Sequence, residues 1–168
     1  ALLQAAPALL QMLQQRFIYV MVDEFQDTNL LQYELLKLIA KPQQNLFVVG
    51  DDDQTIYTFN GARNQFILHF DQEFPDAKTI ILDINYRSGA AIVGLGNAMI
   101  QQNCWRREKC LKTTRRSEKL PQFSRPATTD EEAKWVVANI KAKVQSGSYQ
   151  YGEMAILHRT TSSSRAIF

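Results

Sequence analysis

Residues 17–29, FIYVMVDEFQDTN, set six apolar, mostly β-preferring side chains directly before a cluster of carboxylates and amides. An apolar run without alternation suits a central parallel strand covered on both faces, and open α/β sheets bind ligands just beyond the carboxyl ends of such strands. Asp23 and Glu24 stand at that edge. Paired acids there suit nucleotide hydrolysis: one carboxylate holds Mg²⁺ through its water shell, and the next orients and deprotonates the attacking water. On its own, an acidic pair after a strand is more often the loop start of a helix N-terminus.

The flanking residues extend the pattern. Pro7 predicts a helix start near Ala8. Thr28 or Asn29 can cap a helix running to Lys41, with Leu31, Leu35 and Leu38 on one face and Pro42 ending it. NLFVVG (45–50) then reads as a second buried strand. Strand, helix and strand in this space make a βαβ unit with parallel strands, so Asp23 and Asp51 are expected at the same sheet edge.

Residues 51–63, DDDQTIYTFNGAR, are too polar for a core and too aromatic for a plain loop. Three adjacent carboxylates repel one another unless a cation, a basic partner or solvent relieves them. Gly61 supplies a turn, and a short amphipathic helix carrying Phe66, Ile67 and Phe70 leads to Pro75, which places a domain boundary near Asp76. Beyond it the pattern restarts. KTIILD (78–83) predicts a strand, 88–103 a helix, RREKCLKTTRRSEK (106–119) an exposed basic segment, and 120–124 another strand. Thr129-x-x-Glu132 predicts a capping box for a helix with Ala133, Val136, Val137, Ile140 and Val144 on one face, ending at Gly147, before a strand at 153–158.

Charge divides the chain in the same place. Residues 1–76 carry four Lys/Arg against ten Asp/Glu, whereas 77–168 carry fifteen against seven. The basic half is the better candidate for touching a polyanion, with a solvated basic face the alternative. No apolar run reaches the length of a membrane span and the N-terminus lacks a secretory signal, so the expectation is a soluble, cytoplasmic protein without membrane contact. Cys104 and Cys110 have no partner at metal-ligand spacing and are expected as reduced thiols. None of the seven glycines precedes a lysine, which excludes a G-x-x-x-x-G-K-[ST] phosphate loop within these residues.

Three segments in order, DEFQDTN (23–29), VVGDDDQTIYTFNGA (48–62) and LDINYRS (82–88), closely resemble motifs II, III and IV of the UvrD/Rep/PcrA family of superfamily one DNA helicases. EMAILHRTTSSSR near the end resembles a further family segment, so the likeness covers nearly the whole chain. The resemblance implies an α/β fold of RecA-like parallel sheets with flanking helices, in parts of two RecA-like domains with ATP between them. Residues 1–76 would be the later part of the first domain and 77–168 the opening part of the second. The implied function is part of an ATP-dependent 3′ to 5′ DNA helicase that couples hydrolysis to movement on single-stranded DNA and opening of duplex junctions, in DNA repair. Without the phosphate loop and the later motifs, this stretch alone is not expected to hydrolyse ATP; the rest of the helicase chain would be required. The helicase part of a RecB-like recombination nuclease and a non-catalytic nucleic-acid-binding or regulatory remnant of a helicase are the alternatives.

The resemblance also implies roles. Asp23 matches the residue that holds Mg²⁺, and Glu24 the one that activates water. Gln54 matches the glutamine that senses the γ-phosphate, Tyr86 the tyrosine that stacks on adenine, and Arg87 the arginine finger. Tyr57 and Phe59 match aromatics that touch single-stranded DNA. The family commonly has Trp at the position of Phe59 and Arg at that of Asn60, so this chain offers a smaller stacking face and one cation fewer beside the strand.

Overall fold

The computed structural model describes residues 2–117 and 119–158. Strands β1 (Val20–Val22) and β2 (Leu46–Val48) pair in parallel, Val20 opposite Leu46, Met21 opposite Phe47 and Val22 opposite Val48. Between them the chain forms a helix, so the expected βαβ unit is present. Before β1 lie α1 (Leu2–Ala5) and α2 (Pro7–Arg16), the latter opened by Pro7 where its missing N–H costs nothing.

Helix α3 (Leu30–Ala40) starts at an Asn29 cap: the Asn29 side chain accepts the Gln32 N–H at 3.1 Å, and the Gln32 side chain accepts the Asn29 N–H at 3.0 Å. This reciprocal pair satisfies two N–H groups the first turn would otherwise strand. The buried residues of α3 are Tyr33 and Ala40; of the expected Leu31–Leu35–Leu38 stripe only Leu38 is half-buried, and Leu31 stays 82% exposed. The reason is an aromatic cluster beneath the end of β1. Phe25, fully buried, meets Phe70 edge-on at 5.6 Å and Tyr33 at 6.1 Å, and Tyr33 stacks on Phe66 at 4.1 Å. Phe66 and Phe70 come from two single-turn helices, α4 (Gln65–Leu68) and α5 (Phe70–Glu73), and Lys37 on α3 bonds Glu73 on α5 at 2.6 Å. Among the described residues the sheet is covered on this side only. Met21 and Phe47, neighbours on the other side, are 76% and 61% exposed, so the expected burial of β1 on both faces is not met among the described residues.

In the following segment β3 (Ile84–Asn85) pairs in parallel with β4 (Lys112–Thr113), with α6 (Ala90–Ile100) between them. The strand expected at 78–83 does not form. Among the described residues no edge pairs with it beyond the Lys112 N–H to Asp83 carbonyl bond, and Ile80 and Leu82 remain exposed. Among the described residues no strand forms at 120–124 or 153–158 either, and Tyr151–Glu153 makes a single 3-10 turn. The chain divides into two compact units, Ala1–Leu120 and Pro121–Phe168.

The second unit is built on α7 (Thr129–Gln145), whose cap is Thr128, one residue before the expected Thr129; the Thr128 hydroxyl accepts the Glu131 N–H at 3.2 Å. Gly147, at φ +69°, ends it in the left-handed conformation that favours glycine. Ala133 is buried and Val136, Val137, Ile140 and Val144 are half-buried, as the periodicity predicts. Trp135, Ile140, Tyr149, Met154 and Ile156 line an apolar groove along α7. Among the described residues no helix is long and apolar enough to cross a membrane.

Candidate functional site

The carboxyl ends of β1 and β2 are stitched together by backbone bonds from Val49 N–H to the Val22 carbonyl (2.8 Å) and from Phe25 N–H to the Val49 carbonyl (2.9 Å). Burial of the Phe25 ring drives the turn that follows β1. Glu24 enters it at φ +50°, ψ +43°, the left-handed region, which costs a non-glycine residue of order 1 kcal/mol and persists where the surroundings over-determine it. Asp23 and Glu24 are both exposed at the edge, and the Asp23 carboxylate accepts the Glu24 N–H at 2.9 Å. Below them Gln26 is buried, at 1% exposure, and its amide touches both strand ends: Nε2 donates to Glu24 Oε2 at 2.7 Å and Oε1 accepts the Asp51 N–H at 3.0 Å.

Asp51 opens the 51–54 turn. Its carboxylate accepts the Asp53 N–H at 3.1 Å and the Gln54 amide at 2.6 Å. The sequence places Asp23 and Asp51 at one sheet edge; the structure links their neighbours Glu24 and Gln54 there through Gln26 and Asp51. The closeness requires Gly50, because a Cβ there would lie 2.5 Å from Gln26 Oε1. Farther on, the Tyr57 and Phe59 rings stand 5.7 Å apart at 53°, 45% and 78% exposed, and Gly61 at φ +83° makes the expected turn.

The three carboxylates are relieved by the basic segment, which sequence reasoning assigned to solvent. Lys109 Nζ lies 3.0 Å from Asp51, 2.9 Å from Asp53 and in a short bond to Asp52; Arg106 forks onto Asp53 at 3.0 Å. The Arg107 N–H bonds Asp52 at 2.6 Å and its guanidinium bonds Asp71 at 2.9 Å. Burial pushes the Asp51 and Asp53 carboxyls up, but bonds from Gln54 and Lys109 to the first, and from Arg106 and Lys109 to the second, hold both below the usual carboxylate range. For Lys109, burial alone would lower the ammonium; its bonds to Asp52, Asp53 and Asp51 raise it instead. The sequence shows seven cations downstream of an acidic triplet, but nothing in it says which of them meet these carboxylates.

These carboxylates lie close enough together to hold a cation, but the Lys109 ammonium already meets their charge. Asp23 fits a divalent ion better, as one exposed carboxylate of the kind Mg²⁺ takes while keeping several waters.

Tyr86 and Arg87 lie apart from this cluster in their bonding. Asn85 Oδ1 accepts the Arg87 and Ser88 N–H groups at 3.0 and 2.8 Å, which fixes the turn after β3, and the Arg115 guanidinium donates to the Arg87 carbonyl at 2.9 Å. Both side chains are exposed, Tyr86 at 67%. Among the described residues no hydrogen bond or ion pair joins them to Asp23, Glu24 or Gln54.

Comparison with known proteins adds the family. The UvrD/REP helicase N-terminal domain matches residues 1–75 and the UvrD-like helicase C-terminal domain matches residues 80–168. A Bacillus subtilis (strain 168) protein that carries the provisional name ATP-dependent DNA helicase YjcD is 44% identical over 162 residues, 96% of this chain and 21% of its own length. ATP-dependent DNA helicase PcrA of Staphylococcus epidermidis (strain ATCC 12228 / FDA PCI 1200) is 43% identical, and that of Staphylococcus aureus (strain Mu50 / ATCC 700699) 40% identical, each over 99% of this chain and 23% of the relative. The chain thus spans about a fifth of the length of these relatives. With more than half its residues matched by the C-terminal domain and nearly all the rest by the N-terminal domain, this chain belongs to the UvrD/REP helicase family.

Proposed function

We propose that this chain is part of an ATP-dependent DNA helicase that moves 3′ to 5′ on single-stranded DNA and opens duplex junctions, working in the cytoplasm. In this reading residues 1–76 complete a first RecA-like domain and 77–168 begin a second. The matched family domains, which meet between residues 75 and 80, support that division. The observation that carries the function is the bonded run from Glu24 through Gln26 and Asp51 to Gln54, which ties a strand-end carboxylate to a neighbouring sensor amide.

Glu24 accepts a proton from the water that attacks the γ-phosphorus, as the bond from that phosphorus to the β–γ bridging oxygen breaks. Asp23 holds the Mg²⁺, which neutralises charge on the phosphate oxygens when bound. Gln54 reads the γ-phosphate and passes its presence to the loop bearing Tyr57 and Phe59, whose exposed rings stack on unpaired bases. Tyr86 covers the adenine, and Arg87 completes the site when the second domain closes on the first. The rest of the helicase chain supplies the phosphate-binding loop.

In the complete protein, Glu24→Gln leaves ATP binding intact while DNA-stimulated hydrolysis falls about a hundredfold or more, the scale of losing a general base. A turnover near that of the unaltered protein would remove Glu24 from the mechanism. Purified residues 1–168 hydrolyse ATP no faster than their own Glu24→Gln variant; turnover above that control would contradict the need for the remaining chain.

A further inference from the structure

Gln26 is the most buried polar residue at the site, and its amide has a definite orientation. The Asp51 N–H requires an acceptor and the Glu24 carboxylate oxygen takes a donor, so Oε1 toward Asp51 and Nε2 toward Glu24 serves both. Every element around it enforces this pose. Phe25 and Thr28, on either side in the chain, are buried, Gly50 leaves the gap that Oε1 fills, and the left-handed backbone of Glu24 turns its carboxylate back over the amide.

We propose that Gln26 is a positioning residue that fixes the Glu24 carboxylate and couples it mechanically to the Asp51–Gln54 turn. The inference rests on Glu24 being the group that activates water. It assigns to a buried amide the link between the two loops: movement of Asp51 when Gln54 engages or releases its ligand is transmitted through Oε1 and Nε2 to the carboxylate. An amide suits this task because it is uncharged and joins a donor and an acceptor rigidly through one planar group.

A merely structural Gln26 would serve only to satisfy the buried Asp51 N–H. Gln26→Glu separates the two roles: its carboxyl still accepts from Asp51, but toward Glu24 it is either a repelling carboxylate or an acid whose proton the two must share, so the fixed N–H donor is lost in both forms. In the complete protein, this variant is expected to lower kcat for DNA-stimulated ATP hydrolysis by about ten- to a hundredfold with the KM for ATP within about twofold. Gln26→Asn, which keeps an amide one methylene short of both partners, gives the same split and replaces the Glu variant should that one not fold. Wild-type kcat in the folded variant, or a raised KM with kcat unchanged, overturns the proposal. Glu24→Gln run alongside separates the failures. If it is inactive while Gln26→Glu is normal, only the positioning role is lost; if Glu24→Gln itself turns over normally, the reading of Glu24 falls and the role of Gln26 with it.

Discussion

The loops after β1 and β3 carry the two halves of the proposed chemistry and are held in opposite ways. After β1, Glu24 is bonded to a buried amide, seated over an aromatic cluster and tied to the 51–54 turn, which is itself clamped by Arg106 and Lys109. After β3, an asparagine turn and single side-chain bonds from Arg115 to the Arg87 carbonyl and from Thr113 to the Ser88 carbonyl hold the backbone, while the Tyr86 and Arg87 side chains are exposed. In the proposed reading, the difference matches what each group does. A general base benefits from a fixed direction before the substrate arrives, whereas a finger that reaches across from another domain is positioned by closure.

The contrast is sharpened most by Arg87→Ala. In the complete protein it is expected to lower hydrolysis by roughly 10³- to 10⁵-fold, or ~4–7 kcal/mol of barrier, while leaving thermal stability unchanged because the side chain is exposed and, among the described residues, makes no side-chain hydrogen bond or ion pair. A stability loss in step with the activity loss would mean the turn is held through its side chain.

Lys109→Met is the converse, a change in structure rather than chemistry. It leaves three carboxylates facing one another, and hydrogen exchange at the Asp53 and Gln54 amides should report a local stability loss of about 2–3 kcal/mol, below that of a fully buried pair because Lys109 keeps some water. Its pH dependence follows from the shifts. The depressed Asp51 and Asp53 groups contribute stability above the ordinary carboxylate range that is lost as pH falls through their folded values, and the raised Lys109 contributes stability below the ordinary lysine range that is lost as pH rises through its own. Protection at these amides is therefore flat from about pH 5 to 9 and falls on both sides. Protection that changes steadily through neutrality would contradict the clamp.

Smaller still is Phe59→Ala, expected to weaken single-strand binding by roughly 1–2 kcal/mol without altering the slope of log affinity against log salt, since stacking releases few counterions. Replacing Arg115 and Arg116 together with Ala should change neither quantity by much. If that pair flattens the slope by about one unit or more while Phe59→Ala is silent, the strand runs over the basic segment instead.

The legible parts of the sequence were those where local chemistry and packing agree. The β1–α3–β2 unit announced itself through apolar runs and the Asn29 cap, and α7 through its periodicity and terminal glycine. Residues 78–83 misled because a β-preferring run says only that a strand is affordable; pairing needs an edge, and none among the described residues provides it. The inward face of α3 was misread because leucines occur on several sides of that helix, and the choice fell to Tyr33, which has the rings of Phe25 and Phe66 to meet. At the site, Asp23, Glu24 and Gln54 were readable as motif residues. Gln26 and the Arg106–Lys109 clamp were not, since their importance lies in contacts across 25 and more than 50 residues of chain.

Unwinding by the complete protein tests the helicase reading most directly. With ATP and Mg²⁺, a duplex bearing a 3′ single-stranded tail should be opened, the same duplex with only a 5′ tail should not, and Glu24→Gln should open neither while still binding the tail. Opening from the 5′ tail alone, or equal opening by Glu24→Gln, would contradict the account.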